Sequence, residues 1–551
     1  MSRNDHSSAQ RTLIEAIRRI ETLPVGPFEP ALTFRLQSWA AASSERFDLE
    51  TSAAAAKAGA AVETDAEAEL RGADEGAQAV GHAAKSLADS LIETARQVRE
   101  GEADPRRVAA QALERIAALN PVLNAVVATT PGRAHREAGA IAERMQAGER
   151  PAPLAGVPLL HKDIICTRNI PTTAGSDLLR DFVPTSDAAV VARLVNAGTL
   201  LMGKTNTHEF ATGTTGVVSC FGPARNPWNT RRITGGSSSG SAAALAAGIV
   251  SAATGTDTGG SIRIPSSCCG TVGLKPTYGR VSRTGVIPFA WSLDHVGPMA
   301  RSVEDVAALL TAMSGHDPTD SASSLEPGSD FSAGLSRGIA GLRFILPRPH
   351  FLQLARRDIA AAVEEAAAVL ERLGARRVEV ELPAEMAEVG PAAVAIFLAE
   401  GGSVHARTLE SNPEAYQKET LAFLSLAEEV NGRAYVQAQR MRARLTSGML
   451  GVLQSTDLLL TPTLPITAPR LDQKTVEAAA GPIDVRAALT LFTRPFNLTG
   501  LPALSLPCGF DNEGMPIGLQ IVGRPFEEAT VLRAGYAYER ATEWHERRPE
   551  I

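Results

Sequence analysis

The sequence predicts an α/β layered fold, and three observations carry that expectation. Helix-like and strand-like patterns alternate from about residue 84 to about residue 300, as they do where helices cover a sheet. Further strand patterns follow in GLRFILP, RRVEVELP and DLLLTPTLP, and RPFNLTGLPALSLPCGF with MPIGLQIVGRP reads as a terminal strand pair. A chain of 551 residues, 44% hydrophobic and 21% charged, has an ordinary globular composition and can bury a large core.

In chain order, AQRTLIEAIRRIET (9–22) puts Leu13, Ile14, Ile17 and Ile20 on one helical face. LPVGPFEP breaks that pattern, and a second helix is expected around 31–42. Residues 51–83 are rich in Ala and Glu with few large apolar side chains, so they read as a helix with little core or as a linker. Residues 1–83 are therefore taken as a helical N-terminal extension and 84–551 as the main domain. The extension is either a loosely held tail or an oligomerisation or lid element. Two amphipathic helices then lead to a strand, NAVVAT. DAAVVARLVNAG is a helix ending at Gly198, which suits the left-handed position after a helix C-terminus, and TLLMG is a short buried strand. SAAALAAGIVSAATGTD runs helix then strand, and 316–338 is a surface connection.

The net charge of −7 speaks against a nucleic-acid binder, which normally shows a basic face. Five cysteines without a CxxC pair fit a reducing compartment and no zinc site by spacing. MSRNDHSSAQR lacks an apolar signal-peptide core, and no apolar run of about 18 residues is seen, so a cytoplasmic protein without a membrane span is expected. GTLLMGKT (198–205) matches the phosphate-binding pattern G-x-x-x-x-G-K-[ST]. Its context is wrong, because a helix precedes Gly198 and the strand falls between the glycines. A pleated LLM cannot turn successive amides onto a phosphate.

Three other segments carry chemistry. GTDTGGSIRIP (255–265) is a strip nearly free of large side chains, followed by one hydroxyl, Ser261. ITGGSSSGSAAALAAG (233–248) leads glycines into a small-residue helix and allows close backbone approach. In LAGVPLLHKDI (154–164), Lys162 follows an apolar run. Burial there lowers a lysine pKa, and a neutral lysine is a competent base. His161, His208 and His295 are alternative bases, so a Ser-His-Asp arrangement stays open at this level. His208 is expected to be packed or hydrogen-bonded, Asp257 and Arg263 to form a structural pair, and Cys268 and Cys269 to be small buried residues beside the nucleophile.

Together the three segments resemble the amidase signature family. GVPLLHKDI is similar to its lysine motif, GGSSSGS to its cis-serine motif and GTDTGGSIRIP to its nucleophile motif. The resemblance runs from about 84 to 551 through NPWN, GLKPTYGRVSRTGV, SLDHVGPMARSVEDVA, TPTLP and GLPALSLPCG. It departs at His161, where an apolar residue is common, and it does not cover the first 83 residues. It implies a mixed, twisted central sheet flanked on both faces by helices. It also implies Lys162 as base, Ser237 in a cis peptide as relay and Ser261 as nucleophile, with no cofactor and no metal.

The chemistry agrees with that assignment. A serine hydroxyl needs a base to take its proton. Ser237 can accept from Ser261 and donate to Lys162, being donor and acceptor at once. Backbone amides of Thr258, Gly259, Gly260 and Ser261 are expected to converge on the oxyanion. The expected activity is hydrolysis of the C–N bond of a small-molecule amide, with esters and carbamates as further candidate substrates. The alternatives are the glutamine-hydrolysing component of a tRNA-dependent amidotransferase, which would need partner subunits, and a silent scaffold. A homodimer through the N-terminal helices is expected. The acyl pocket is expected within 310–480, whose aromatics include Phe397, Tyr416, Phe423 and Tyr435.

Overall fold

The computed structural model describes residues 8–22, 90–479 and 481–551. The expected helix around 31–42 and the Ala/Glu-rich stretch 51–83 lie outside them. In chain order the strands are β1 (Val126–Thr129), β2 (Pro158–Lys162), β3 (Leu200–Thr205), β4 (Arg225–Asn226) and β5 (Asn229–Ile233). There follow β6 (Ala252–Asp257), β7 (Val272–Lys275), β8 (His295–Ala300), β9 (Arg343–Ile345) and β10 (Arg376–Arg377). The last are β11 (Leu458–Pro462), β12 (Thr475–Ala478), β13 (Gly481–Asp484), β14 (Ala503–Phe510) and β15 (Pro516–Gly523).

Eleven of these form one sheet in the order β1-β3-β2-β6-β8-β7-β14-β15-β11-β9-β10, and β4-β5 and β12-β13 are separate two-stranded ribbons. The sheet is mixed. β3, β2 and β6 run parallel, as do β11, β9 and β10, whereas β6-β8, β8-β7, β7-β14 and β14-β15 are antiparallel.

Successive strand residues point to opposite faces, and both faces are covered. Leu160 packs into a cluster with helix residues Ile116, Ala134, Ala138 and Leu245. Its neighbour Leu159 packs on the other side with Val190, Leu194, Val306 and Leu310. Every residue of β2, β3 and β6 is buried, and the first three residues of β2 and of β3 accordingly form apolar runs. Helix Ala189–Asn196 ends as expected, with Gly198 at φ +94°. β14 and β15 form the expected terminal pair.

RRVEVELP yields only the two-residue β10. It lies at the sheet edge and pairs with β9 alone, so nothing beyond it extends the ladder. The segment Ala384–Ser411 is long and apolar enough to cross a membrane, contrary to the sequence expectation, and 67% of its apolar window is buried inside the protein. Its helix, Val389–Ser411, packs against helices Gly432–Ser455 and Ser8–Glu21 as a core element.

Helix Ser8–Glu21 confirms the pattern read in 9–22. Ile14, Ile17 and Ile20 are buried within the same chain, each contributing about 1.5–3 kcal/mol. Arg19 pairs with Glu388, and Asn431 donates to Glu21. The apolar face offered in the sequence for a dimer is thus engaged inside the protomer.

Candidate active site

The site sits where β2 and β6 end. The two strands are parallel, with Leu159 opposite Ala252 and His161 opposite Thr254, so their carboxyl ends finish together. This is where open α/β sheets place their ligands. β2 delivers Lys162, its last residue, and β6 delivers Thr256 and Asp257 just before the glycine strip.

The third element approaches from the side. The Gly236–Ser237 peptide is cis, and helix Ser239–Ala246 follows, buried along its whole length. A Cβ on Gly240 would strike the Ala125 carbonyl oxygen and the Asn206 amide. That close approach explains the Ser, Gly and Ala content of the segment. Ser237 is held through its carbonyl, which accepts from the His208 amide at 3.2 Å and Thr207 Oγ1 at 3.1 Å.

Lys162 Nζ lies 2.7 Å from Ser237 Oγ and 2.7 Å from Thr256 Oγ1. No carboxylate forms an ion pair with it among the described residues. Burial pushes Lys162 down to about 7, against the opposing pull of Asp257 and Asp294. The other two lysines fully buried among the described residues are satisfied differently. Lys204 donates to the Ile165 carbonyl and Thr172 Oγ1 and lies 3.6 Å from Asp163. Lys275 meets the Pro276 carbonyl and His295 Nε2. Of the three, only Lys162 reaches a serine. Lys204 being committed to the interior, and Leu200–Thr205 being a pleated strand, dispose of the phosphate-loop pattern.

Ser261 is 6% exposed and stands just before helix Arg263–Cys269. Its carbonyl accepts from the Ser238 amide at 3.2 Å, which ties the two serine segments together. The strip between Asp257 and Ser261 is anchored from outside. Thr258 Oγ1 donates to Asp294, and the Gly259 carbonyl accepts from Thr493 Oγ1 at 2.6 Å. Gly260 adopts φ +134°, a conformation open to glycine and strained for side-chain-bearing residues.

The Gly260 amide differs from the sequence expectation. It donates to Asp257 Oδ1 at 2.8 Å and so is turned away from an oxyanion. The amides of Thr258, Gly259 and Ser261 donate to no acceptor among the described residues. Asp257 and Arg263 are the structural pair expected, both with side chains 0% exposed and 2.9 Å apart. Arg263 also donates to Asn497 Oδ1, Gln520 Oε1 and the Thr493 carbonyl. Burial alone raises the Asp257 carboxyl, but Arg263, Lys275 and Asn497 outweigh it and hold it well below the ordinary range.

The histidines stand apart from this constellation. His161 Nδ1 meets Thr254 Oγ1 at 2.9 Å, and His295 meets the Leu293 carbonyl and Lys275. His208 is packed and not hydrogen-bonded through its ring, both of whose nitrogens are buried without a partner. Burial pushes all three well below the usual histidine range. Cys268 and Cys269 are buried, as expected, in the helix that follows Ser261, and no cluster of potential metal ligands occurs among the described residues.

A cavity of about 200 Å³ opens over Ser261, Thr258 and Gly259. Phe289, Phe397 and Phe423 form an aromatic wall, and Arg486 and Arg494 bring positive charge beside one carboxylate, Asp484. Tyr416 packs on Phe210 and His405 instead, and Tyr435 bonds Glu400. Thr12 and Leu13 also line the cavity, so the N-terminal helix forms part of its wall. Sequence reasoning missed Thr256, Arg494 and Thr12. The parallel register of β2 with β6 could have revealed Thr256, whereas the other two depend on long-range packing.

Known proteins agree with this geometry. The family model for amidases matches residues 107–532. The glutamyl-tRNA(Gln) amidotransferase A-type subunit of Chloroflexus aggregans is 42% identical over 461 residues, which are 80% of this chain and 93% of that protein. One solved chain belongs to a vestigial protein complex bearing on the origins of an s-triazine catabolic enzyme. It is 36% identical with a TM-score of 0.80, over 84% of this chain and 100% of its own. A 6-aminohexanoate cyclic dimer hydrolase solved with substrate is 31% identical with a TM-score of 0.77, over 84% of this chain and 99% of its own. Site geometry, family match and near-complete coverage of these relatives converge, and the chain is a member of the amidase signature family, an enzyme acting on carbon–nitrogen bonds.

Proposed function

We propose that this protein hydrolyses amides through an acyl-enzyme on Ser261, with Ser237 as relay and Lys162 as base. The observation that carries this reading is the contact of Lys162 Nζ with Ser237 Oγ at 2.7 Å, between two side chains shielded from water. A lysine held near neutrality there has a lone pair available at ordinary pH. Ser261 Oγ attacks the carbonyl carbon as its proton passes to Ser237 Oγ, and the proton of Ser237 passes to Lys162. The free amides of Thr258, Gly259 and Ser261 supply donors for the oxyanion. The C–N bond breaks as the relay returns a proton to the leaving nitrogen, releasing ammonia or an amine. Water then attacks the ester by the same relay and releases the carboxylic acid.

Between the finer readings, similarity favours glutamine as the amide, with the chain working as the glutamine-hydrolysing component of an amidotransferase. The identity to such proteins spans almost their whole length. One observation favours a stand-alone small-molecule amidase, namely that this chain's own N-terminal helix lines the cavity. Ammonia release from glutamine should be measured beside a panel of alkyl and aryl amides, with and without amidotransferase partner subunits. Partner-dependent glutaminase activity supports the first reading, and partner-independent turnover of another amide supports the second. Ser261→Ala should abolish both activity and fluorophosphonate labelling. Retained turnover in that variant would sink the whole scheme.

A further inference from the structure

We infer that Arg494 is a carboxylate-recognising residue, and that the amide substrate therefore carries a carboxylate beyond its scissile bond. The inference deepens the hydrolase reading and rests on it for the identity of the substrate.

Arg494 lines the same cavity as Ser261. Its Nε is buried without an acceptor, and its guanidinium makes no hydrogen bond or ion pair among the described residues. It lies instead over the Phe397 ring, 5.7 Å from the centroid. Other arginines in this part of the fold are satisfied. Arg486 pairs with Glu419 at 3.0 Å and donates to the Thr212 carbonyl, and Arg263 pairs with Asp257. Arg442 donates to the Leu498 and Ser292 carbonyls. Asp484 lines the same cavity and attracts Arg494 but forms no ion pair or hydrogen bond with it among the described residues, and a partly buried cation without a bonded partner is costly unless something supplies one.

Position makes a substrate the natural supplier. Phe397 packs beside Gly259 and also carries Arg494 over its ring, so the guanidinium and the strip before Ser261 share one aromatic neighbour. The residue before Arg494, Thr493, holds the Gly259 carbonyl. That hydrogen bond ties the segment carrying the guanidinium to the segment carrying the attacking serine. Burial and the neighbouring Arg486 push Arg494 down to about 10, with Asp484 opposing. A carboxylate between the two arginines would relieve both effects. A guanidinium offers two parallel donors to a carboxylate, and the aromatic wall suits the methylene chain between carboxylate and amide. The glutamine side-chain amide meets this description, as do the half-amides of short dicarboxylic acids.

The test compares glutaramate with butyramide, which share an amide and differ in the terminal carboxylate. The wild-type kcat/KM should favour glutaramate. Arg494→Met should shrink that preference roughly 10- to 100-fold, mostly through KM, and Arg494→Lys should restore part of it. A merely structural role for Arg494 would lower both substrates alike and leave their ratio unmoved, which would overturn the inference. A second readout is independent of turnover. Glutarate binding to Ser261→Ala, followed by calorimetry, should be present and should vanish when Arg494→Met is added. Turnover of both amides with no preference for glutaramate leaves the hydrolase reading standing and removes the carboxylate subsite. Binding of glutarate without turnover or probe labelling does the reverse.

Discussion

Replacing Thr256 by Val tests how the base is tuned. Lys162 Nζ has two hydroxyl partners at 2.7 Å, Ser237 and Thr256. The ammonium form donates to both, and the neutral form donates to Thr256 while accepting from Ser237. Removing the Thr256 hydroxyl therefore takes one hydrogen bond from each form. A bond from a charged donor contributes about 1.5–3 kcal/mol and a neutral one about 0.5–1.5. The difference, about 1–1.5 kcal/mol, disfavours the ammonium by roughly one pKa unit. Burial already places Lys162 at about 7, so the variant should sit near 6. The base works as the free amine, so kcat/KM rises with pH as the lysine loses its proton. The ascending limb should accordingly move from about pH 7 to about pH 6 in Thr256→Val. Initial rates from pH 5 to 9 on one amide substrate measure it, with far-UV circular dichroism confirming the fold. Thr256 keeps a β-branched shape as Val, and its backbone pairing with Val296 survives. A limb that stays at 7 or moves upward refutes both the tuning by Thr256 and the assignment of the limb to Lys162.

Three further outcomes follow from the same geometry. Arg263→Met leaves Asp257 buried without its partner and should cost about 3–5 kcal/mol in denaturant unfolding; a loss under 1 kcal/mol would contradict the role given to the pair. Lys204→Met removes a buried donor set from Ile165, Thr167 and Thr172 and should destabilise the fold, while ATP should not shift the wild-type melting temperature. Leu13→Trp adds bulk to the cavity wall and should raise KM for larger amides more than for small ones. Equal KM changes across a size series would show that the N-terminal helix does not shape the cavity.

The hydrophobic pattern alone settles much of the architecture. Apolar runs in β2 and β3 are buried on both faces, and that demand is written in consecutive residues, 158–160 and 200–202. The proposed trio, Lys162, Ser237 and Ser261, is legible for a related reason. Gly236 and Gly240 must lack side chains for the chain to pass Gly216, Ala125 and Asn206, and Lys162 must end an apolar strand to be desolvated. Such local requirements leave a local record. The same logic misled at Gly260, where a side-chain-free position suggested a free amide. Its amide is taken by Asp257, because Arg263 turns that carboxylate toward the strip.

The cavity has no such record. Thr12, Phe397, Arg486 and Arg494 are far apart in the chain and meet through the packing of helices Ser8–Glu21 and Val389–Ser411 over the carboxyl end of the sheet. Nothing in TRPFNLTG says that its arginine lacks a hydrogen-bonded partner, since that depends on what other segments fail to bring near it. The sequence by itself determined the layered fold, the burial of Lys162 and the residues able to carry acyl transfer. Only the tertiary structure decided which amides remain free, which second hydroxyl meets Lys162 and what charge faces the cavity, because electrostatic pairing acts through space and not along the chain.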